Sequence, residues 1–177
     1  KIIITGGCGF IGSHIAEHFY NKYQKADIII LDKITYAANI NNLAKIKKSK
    51  RLKIFKQDIL KFKILKQITK HADLVIHAAA ESHVDNSFQL NDKFIKTNVL
   101  GTKNVMQACK INKVKKIIHI STDEIYGEIF RGSFKENDKF NPSNPYSSSK
   151  AAAEMIVNGY IHSYKLPVII VRANNIF

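Results

Sequence analysis

Lys1-Ile2-Ile3-Ile4-Thr5-Gly6-Gly7-Cys8-Gly9-Phe10-Ile11-Gly12 is the stretch that decides the fold. An apolar, β-branched run leads into glycines at 6, 9 and 12, and a segment of helical period continues from about residue 10 to 22. Three glycines in this layout permit a tight turn, close approach of the backbone to a pyrophosphate and packing of helix on strand. The helix N-terminus then attracts the phosphate charge. Phe10 and Ile11 belong to the same turn. Asp32 stands 20 residues beyond Gly12, at the end of a second apolar run. A carboxylate there can accept the adenosine ribose hydroxyls and repel the extra phosphate of NADP, so the predicted cofactor is NAD, with Lys33 beside it as a counterweight.

Outward from this stretch, apolar runs alternate with longer segments of helical period. Strands are predicted near residues 1–5, 27–31, 52–56, 72–77, 116–121 and 167–171, and helices near 10–22, 60–69, 91–111 and 145–163. Runs such as Ile28-Ile29-Ile30-Leu31 and Ile117-Ile118-His119-Ile120 are apolar in both directions, as in strands covered on each side. The pattern predicts an α/β fold: a doubly wound, Rossmann-type parallel sheet with helices on both faces, in one domain spanning residues 1–177. Ligands should then lie beyond the carboxyl ends of the strands. Residues 129–144 read as a long loop. The sixth strand is followed almost at once by Phe177, which is read as a truncated chain whose substrate-gripping carboxyl-terminal part is absent.

Composition narrows the function classes. The chain has 177 residues, an apolar content of 45% and no run of the roughly 18 apolar residues that a membrane helix needs. Neither a membrane nor a secretory route is predicted, and the cytoplasm is. The net charge of +14 first suggests nucleic acid, but only Arg51, Arg131 and Arg172 of the 28 basic residues are arginines. The Lys45–Lys56 cluster carries Phe55 as its one aromatic, so it reads as a solvated surface and no nucleic-acid partner is predicted. Cys8 and Cys109 form no spaced pair. His14 and His18 share a helix face without a third ligand, and no metal is predicted.

Chemistry concentrates after the fifth strand and at the last helix. Ser121-Thr122-Asp123-Glu124-Ile125-Tyr126-Gly127 follows one, and Tyr146-Ser147-Ser148-Ser149-Lys150 opens the other. Tyr146 and Lys150 are one helical turn apart. An ammonium beside a phenol, reinforced by a nicotinamide cation, would lower the phenol pKa from ~10 towards neutrality and make it a base.

With the glycine loop, Asp32, Leu31 to Ala37, Asp58-Ile59, His77 to Asp85, Thr97-Asn98, Ser121 to Gly127, Asn144 to Lys150 and Arg172 to Ile176, the chain resembles the extended short-chain dehydrogenase/reductases over its whole length. Within them it is most similar to the dTDP-glucose and UDP-glucose 4,6-dehydratases. The resemblance implies that Asp58 and Ile59 border the adenine, that Ala78, Ala79 and Ala80 line the pyrophosphate and nicotinamide side, and that Asn98 supports the catalytic centre. It further implies that Ser82, His83, Asp85 and Asn175 approach a nucleotide sugar. Thr122 would bind the sugar's 4-hydroxyl, Tyr146 would deprotonate it, Glu124 would take the carbon 5 proton, and a protonated Asp123 would release the 6-hydroxyl. A homodimer through the helices at 91–111 and 145–163 is also implied, with Ala151-Ala152-Ala153 allowing close packing. Two alternatives stay open: an epimerase or UDP-glucuronate decarboxylase, which shares all but the Asp123-Glu124 pair, and a non-catalytic NAD-binding protein on the same fold.

Overall fold

The structure, a computed structural model, describes residues 1–174 and 176. Six parallel strands form one sheet: β1 (Ile2–Thr5), β2 (Ile28–Asp32), β3 (Leu52–Lys56), β4 (Leu74–His77), β5 (Lys116–Thr122) and β6 (Val168–Ala173). Their spatial order is β3-β2-β1-β4-β5-β6, so the winding reverses between β1 and β4. At that switch point the loops after β1 and β4 diverge and leave a crevice. The doubly wound expectation therefore holds.

Apolar residues on both faces explain why the sheet sits inside. On one face Ile3, Ile29, Val75 and Ile117 pack with Val105, Met106 and Val157. On the other, Ile2, Ile4, Ile28, Ile30 and Ile76 pack with Ala16, Leu43 and Ile46. Helix α1 (Phe10–Lys22) follows β1 directly, and α2 (Phe62–Ile68) follows β3. The last helix, α6 (Pro145–Tyr164), starts where Asn144 accepts from the Ser147 N–H at 2.8 Å and Pro145 occupies the first turn. Lys165, in the left-handed conformation, ends it.

Two local features differ from the sequence expectation. A short helix, α3 (Val84–Gln89), precedes the long helical segment. That segment is itself composite: α4 (Asn91–Phe94), a π-helical turn (Ile95–Gly101) and α5 (Thr102–Ile111). The wide turn contains Asn98, whose buried side chain bonds outside its own helix, and such turns cluster at functional sites. In the alanine triplet, Ala151 and Ala153 are buried within the chain, Ala151 against Ile125 and Tyr126, while Ala152 is partly exposed. Among the described residues no helix is long and apolar enough to cross a membrane.

Candidate active site

Gly6, Gly9, Phe10, Ile11 and Gly12 open a cleft of about 310 Å³ at the β1–β4 switch point. Gly6 has φ +71°, and a Cβ there would lie 2.7 Å from the Ala79 Cα. A Cβ on Gly12 would come within 2.1 Å of the Gly6 carbonyl oxygen. Only glycine fits either position. Gly9, the N-cap of α1, offers no side-chain acceptor, so the first N–H groups of the helix are left for an anion.

The far wall is acidic. Asp32 is buried, its Oδ2 accepting from the Cys8 N–H at 2.9 Å and its Oδ1 from the Ile34 N–H at 2.7 Å. Asp58 lies across from it and accepts from the Leu60 N–H at 2.9 Å, while the Lys33 Nζ stands 2.8 Å from the Asp58 Oδ2. Burial works to raise the Asp58 pKa, but the Lys33 bond, the Leu60 N–H and the nearby lysines outweigh it and hold the carboxyl below its usual range. Ile59, Ala78, Ala79, Ala80, Ser82 and His83 complete the lining. Gln57, Thr35 and Thr97 also line it, contacts that their sequence positions alone do not indicate. The Cys8 thiol, buried and next to Asp32, is pushed up to about 11, which makes it unreactive.

Asn98 joins this cleft to the candidate catalytic groups. Its Oδ1 accepts from the Glu81 N–H at 2.8 Å, and its Nδ2 donates to the Glu81 carbonyl at 3.0 Å and to the Ser149 hydroxyl at 2.8 Å. Ser149 lies between Tyr146 and Lys150, so the reactive face of α6 is fastened to the end of the cleft. Thr122 caps the single turn Asp123–Tyr126, its hydroxyl accepting from the Glu124 N–H and donating to the Asp123 Oδ1, both at 3.3 Å. The Asn144 side chain donates to the Glu124 Oε2 at 3.5 Å. One residue thus caps α6 and steadies the acid pair.

The Tyr146 phenol does not follow the expected direction. Burial first, then the Glu124 charge and, more weakly, Asp123 push its pKa up to about 12, with only a Thr122 hydrogen bond acting downwards. Lys150 is buried beneath it, donates to the Ile120 carbonyl at 2.7 Å and is itself lowered to about 8 by burial. One of its three donors is thus held by the strand. Asp85 lies exposed in the first turn of α3, away from the cleft lining, and Asn175 lies outside the described residues.

Unforeseen in the sequence is a buried ion pair behind this site. Glu154 of α6 is fully buried and accepts from the Arg172 Nε at 3.0 Å, and Arg172 also bonds Tyr126 and the Glu136 carbonyl at 2.8 Å. No group of metal-ligand residues occurs among the described residues.

The family described as GDP-mannose 4,6 dehydratase matches residues 3–176. A dTDP-D-glucose 4,6-dehydratase of Dictyostelium discoideum is 47% identical across all of this chain, which covers 44% of that protein. A dTDP-glucose 4,6-dehydratase of Streptomyces venezuelae, solved with NAD bound, superposes with a TM-score of 0.92 at 39% identity, over 97% of this chain and 54% of the other. A UDP-N-acetylglucosamine 4-epimerase of Methanobrevibacter ruminantium gives 0.90 at 31% identity, over 97% and 54%. The chain spans about half the length of the relatives it matches.

Proposed function

The chain belongs to the GDP-mannose 4,6-dehydratase family, and from that premise we propose that it is the NAD-binding part, residues 1–177, of a nucleoside-diphosphate-glucose 4,6-dehydratase. The glycine cradle, the open helix N-terminus and the anchored Asp32 fit NAD by their chemistry. When bound, NAD supplies a hydride acceptor for carbon 4 of the sugar and a hydride donor for carbon 6.

The remaining work falls to the chain. Tyr146 takes the proton of the 4-hydroxyl, and Thr122 orients that hydroxyl. With its own surroundings holding the phenol near 12, Tyr146 depends on the positive charge of the bound nicotinamide to reach the neutral range. The 4-ketone acidifies the carbon 5 proton, which Glu124 removes. Asp123 protonates the 6-hydroxyl, which leaves as water, and the proton held by Glu124, exchanged with solvent, returns to carbon 5. Lys150 anchors α6 to β5 so that base and acids keep their spacing. Ser82 and His83, on the cleft wall, approach the nucleotide sugar.

The observation that carries dehydration over epimerisation is the Asp123-Glu124 pair, capped by Thr122 and close enough to Tyr146 for both charges to act on the phenol. An epimerase stays open as a second reading, since the epimerase neighbour superposes on the same fold. The full-length protein is also proposed to be a cytoplasmic homodimer. Exposed Ile95, Leu100, Met155 and Tyr164 on the long helices support that pairing, and a monomer in light scattering at micromolar concentration would end it. Incubating the full-length protein with dTDP-glucose or UDP-glucose and NAD tests the activity. A 4-keto-6-deoxy sugar in mass spectra is expected, and a hexose of unchanged mass would refute dehydration.

A further inference from the structure

We propose that Asp58 sets the cofactor specificity of the cleft by holding the Lys33 ammonium away from the place a ribose 2′-phosphate would occupy. The inference rests on the reading that this cleft takes NAD. In sequence, Lys33 beside Asp32 is ambiguous, because a lysine at that point could welcome NADP. In the fold it is committed elsewhere. Asp58 follows β3, the neighbour of β2, where Asp32 and Lys56 are register partners. From there its Oδ2 takes the Lys33 Nζ at 2.8 Å, drawing the side chain sideways across the sheet edge.

The latch is anchored at its acid end. The Asp58 Oδ1 accepts from the Leu60 N–H, and its side chain is 18% exposed against 51% for Lys33. The carboxylate is therefore the fixed partner and the lysine the one that moves to it. Among the described residues lining the cleft, Lys33 is the only lysine or arginine, against the carboxylates of Asp32, Asp58 and Glu81. With Lys33 paired to Asp58, a 2′-phosphate meets Asp32 and no unpaired lysine or arginine among the described lining residues.

Calorimetric titration of NAD and NADP into the full-length protein tests this, using Asp58→Asn, Lys33→Ala and the double variant. Asparagine keeps the acceptor for Leu60 N–H, so the turn survives. The affinity for NADP relative to NAD should rise at least ~10-fold in Asp58→Asn and return to within ~3-fold of wild type in the double variant, with Lys33→Ala alone changing it by less than ~3-fold. Taking the ratio cancels any contact that Asp58 makes with the adenine common to both cofactors. An unchanged ratio in Asp58→Asn overturns the proposal. So does a gain that persists without Lys33, which would assign the repulsion to the Asp58 charge itself, or a tenfold loss of NADP binding in Lys33→Ala. No NAD binding by the wild-type protein would remove the cofactor reading, and the latch with it.

Discussion

Lys150 passes beneath α6 to the carbonyl of Ile120, 2.7 Å from its Nζ, and so ties that helix to β5 two residues before Thr122. The tie fixes the distance between the phenol on one element and the acid pair on the other. Since the lysine is buried to reach that carbonyl, its protonation is coupled to folding.

Burial lowers the Lys150 pKa from 10.5 to about 8. Between those values the unfolded chain binds the proton more tightly than the folded one, so the contribution of this group to stability rises as pH increases through that window. Lys150→Met removes the dependence. Relative to wild type, the variant should be most stable near neutral pH and lose that advantage by about 3 kcal/mol as pH approaches 10.5, as read by urea denaturation. A difference that did not change with pH would mean that Lys150 titrates as an ordinary lysine.

Gly12→Ala would set a Cβ 2.1 Å from the Gly6 carbonyl oxygen, a backbone atom with little room to retreat. Stability should fall by about 1–3 kcal/mol. NAD affinity should fall at least ~10-fold if the displaced turn receives the pyrophosphate, as proposed. Thermal melts and calorimetry check the two effects separately. Full NAD affinity in a folded variant would show that the cofactor does not rest on this turn.

Tyr146→Phe removes one oxygen and keeps the ring, which Phe94 meets edge-on at a centroid distance of 6.3 Å. NAD affinity should change by less than ~3-fold, whereas turnover of the full-length protein should fall by about 10²-fold or more. Turnover within tenfold of wild type would assign the base elsewhere.

What the sequence made legible follows physical scale. The glycine loop and Asp32 could be read because they answer to backbone sterics and strand spacing, which are local. The doubly wound sheet followed from β-branched runs apolar in both directions. Helix α3, with six residues, is too short to leave a periodic signal. The π-helical turn is equally silent, since one extra residue per turn barely disturbs the pattern of a long helix. The Tyr146–Lys150 spacing places both on one face, yet a long flexible side chain chooses its partner by tertiary geometry, and Lys150 chose Ile120. Glu154 and Arg172 stand 18 residues apart on different elements, and nothing in the sequence pairs them until α6 and β6 bring them together.

The two acids after Thr122 should fail in different ways, because each handles a different proton. Glu124, steadied by Asn144, is assigned the carbon 5 proton, and Asp123, bonded by Thr122, the proton that leaves with the 6-hydroxyl. In heavy water the wild-type full-length protein should yield a 4-keto-6-deoxy sugar with deuterium at carbon 5, since the proton taken there exchanges before it returns. Glu124→Gln should slow carbon 5 labelling and product formation together, as carbon 5 loses its base. Asp123→Asn keeps that base. It should leave carbon 5 exchange faster than product formation, so that recovered substrate carries label while deoxysugar accumulates slowly. Each substitution should cost about 10²- to 10⁴-fold in turnover. Mass spectrometry of substrate and product over a time course separates the cases. Label in recovered substrate from Glu124→Gln but not from Asp123→Asn would exchange the two roles. Normal turnover by Glu124→Gln would leave this chain with the cofactor cleft and without the dehydration.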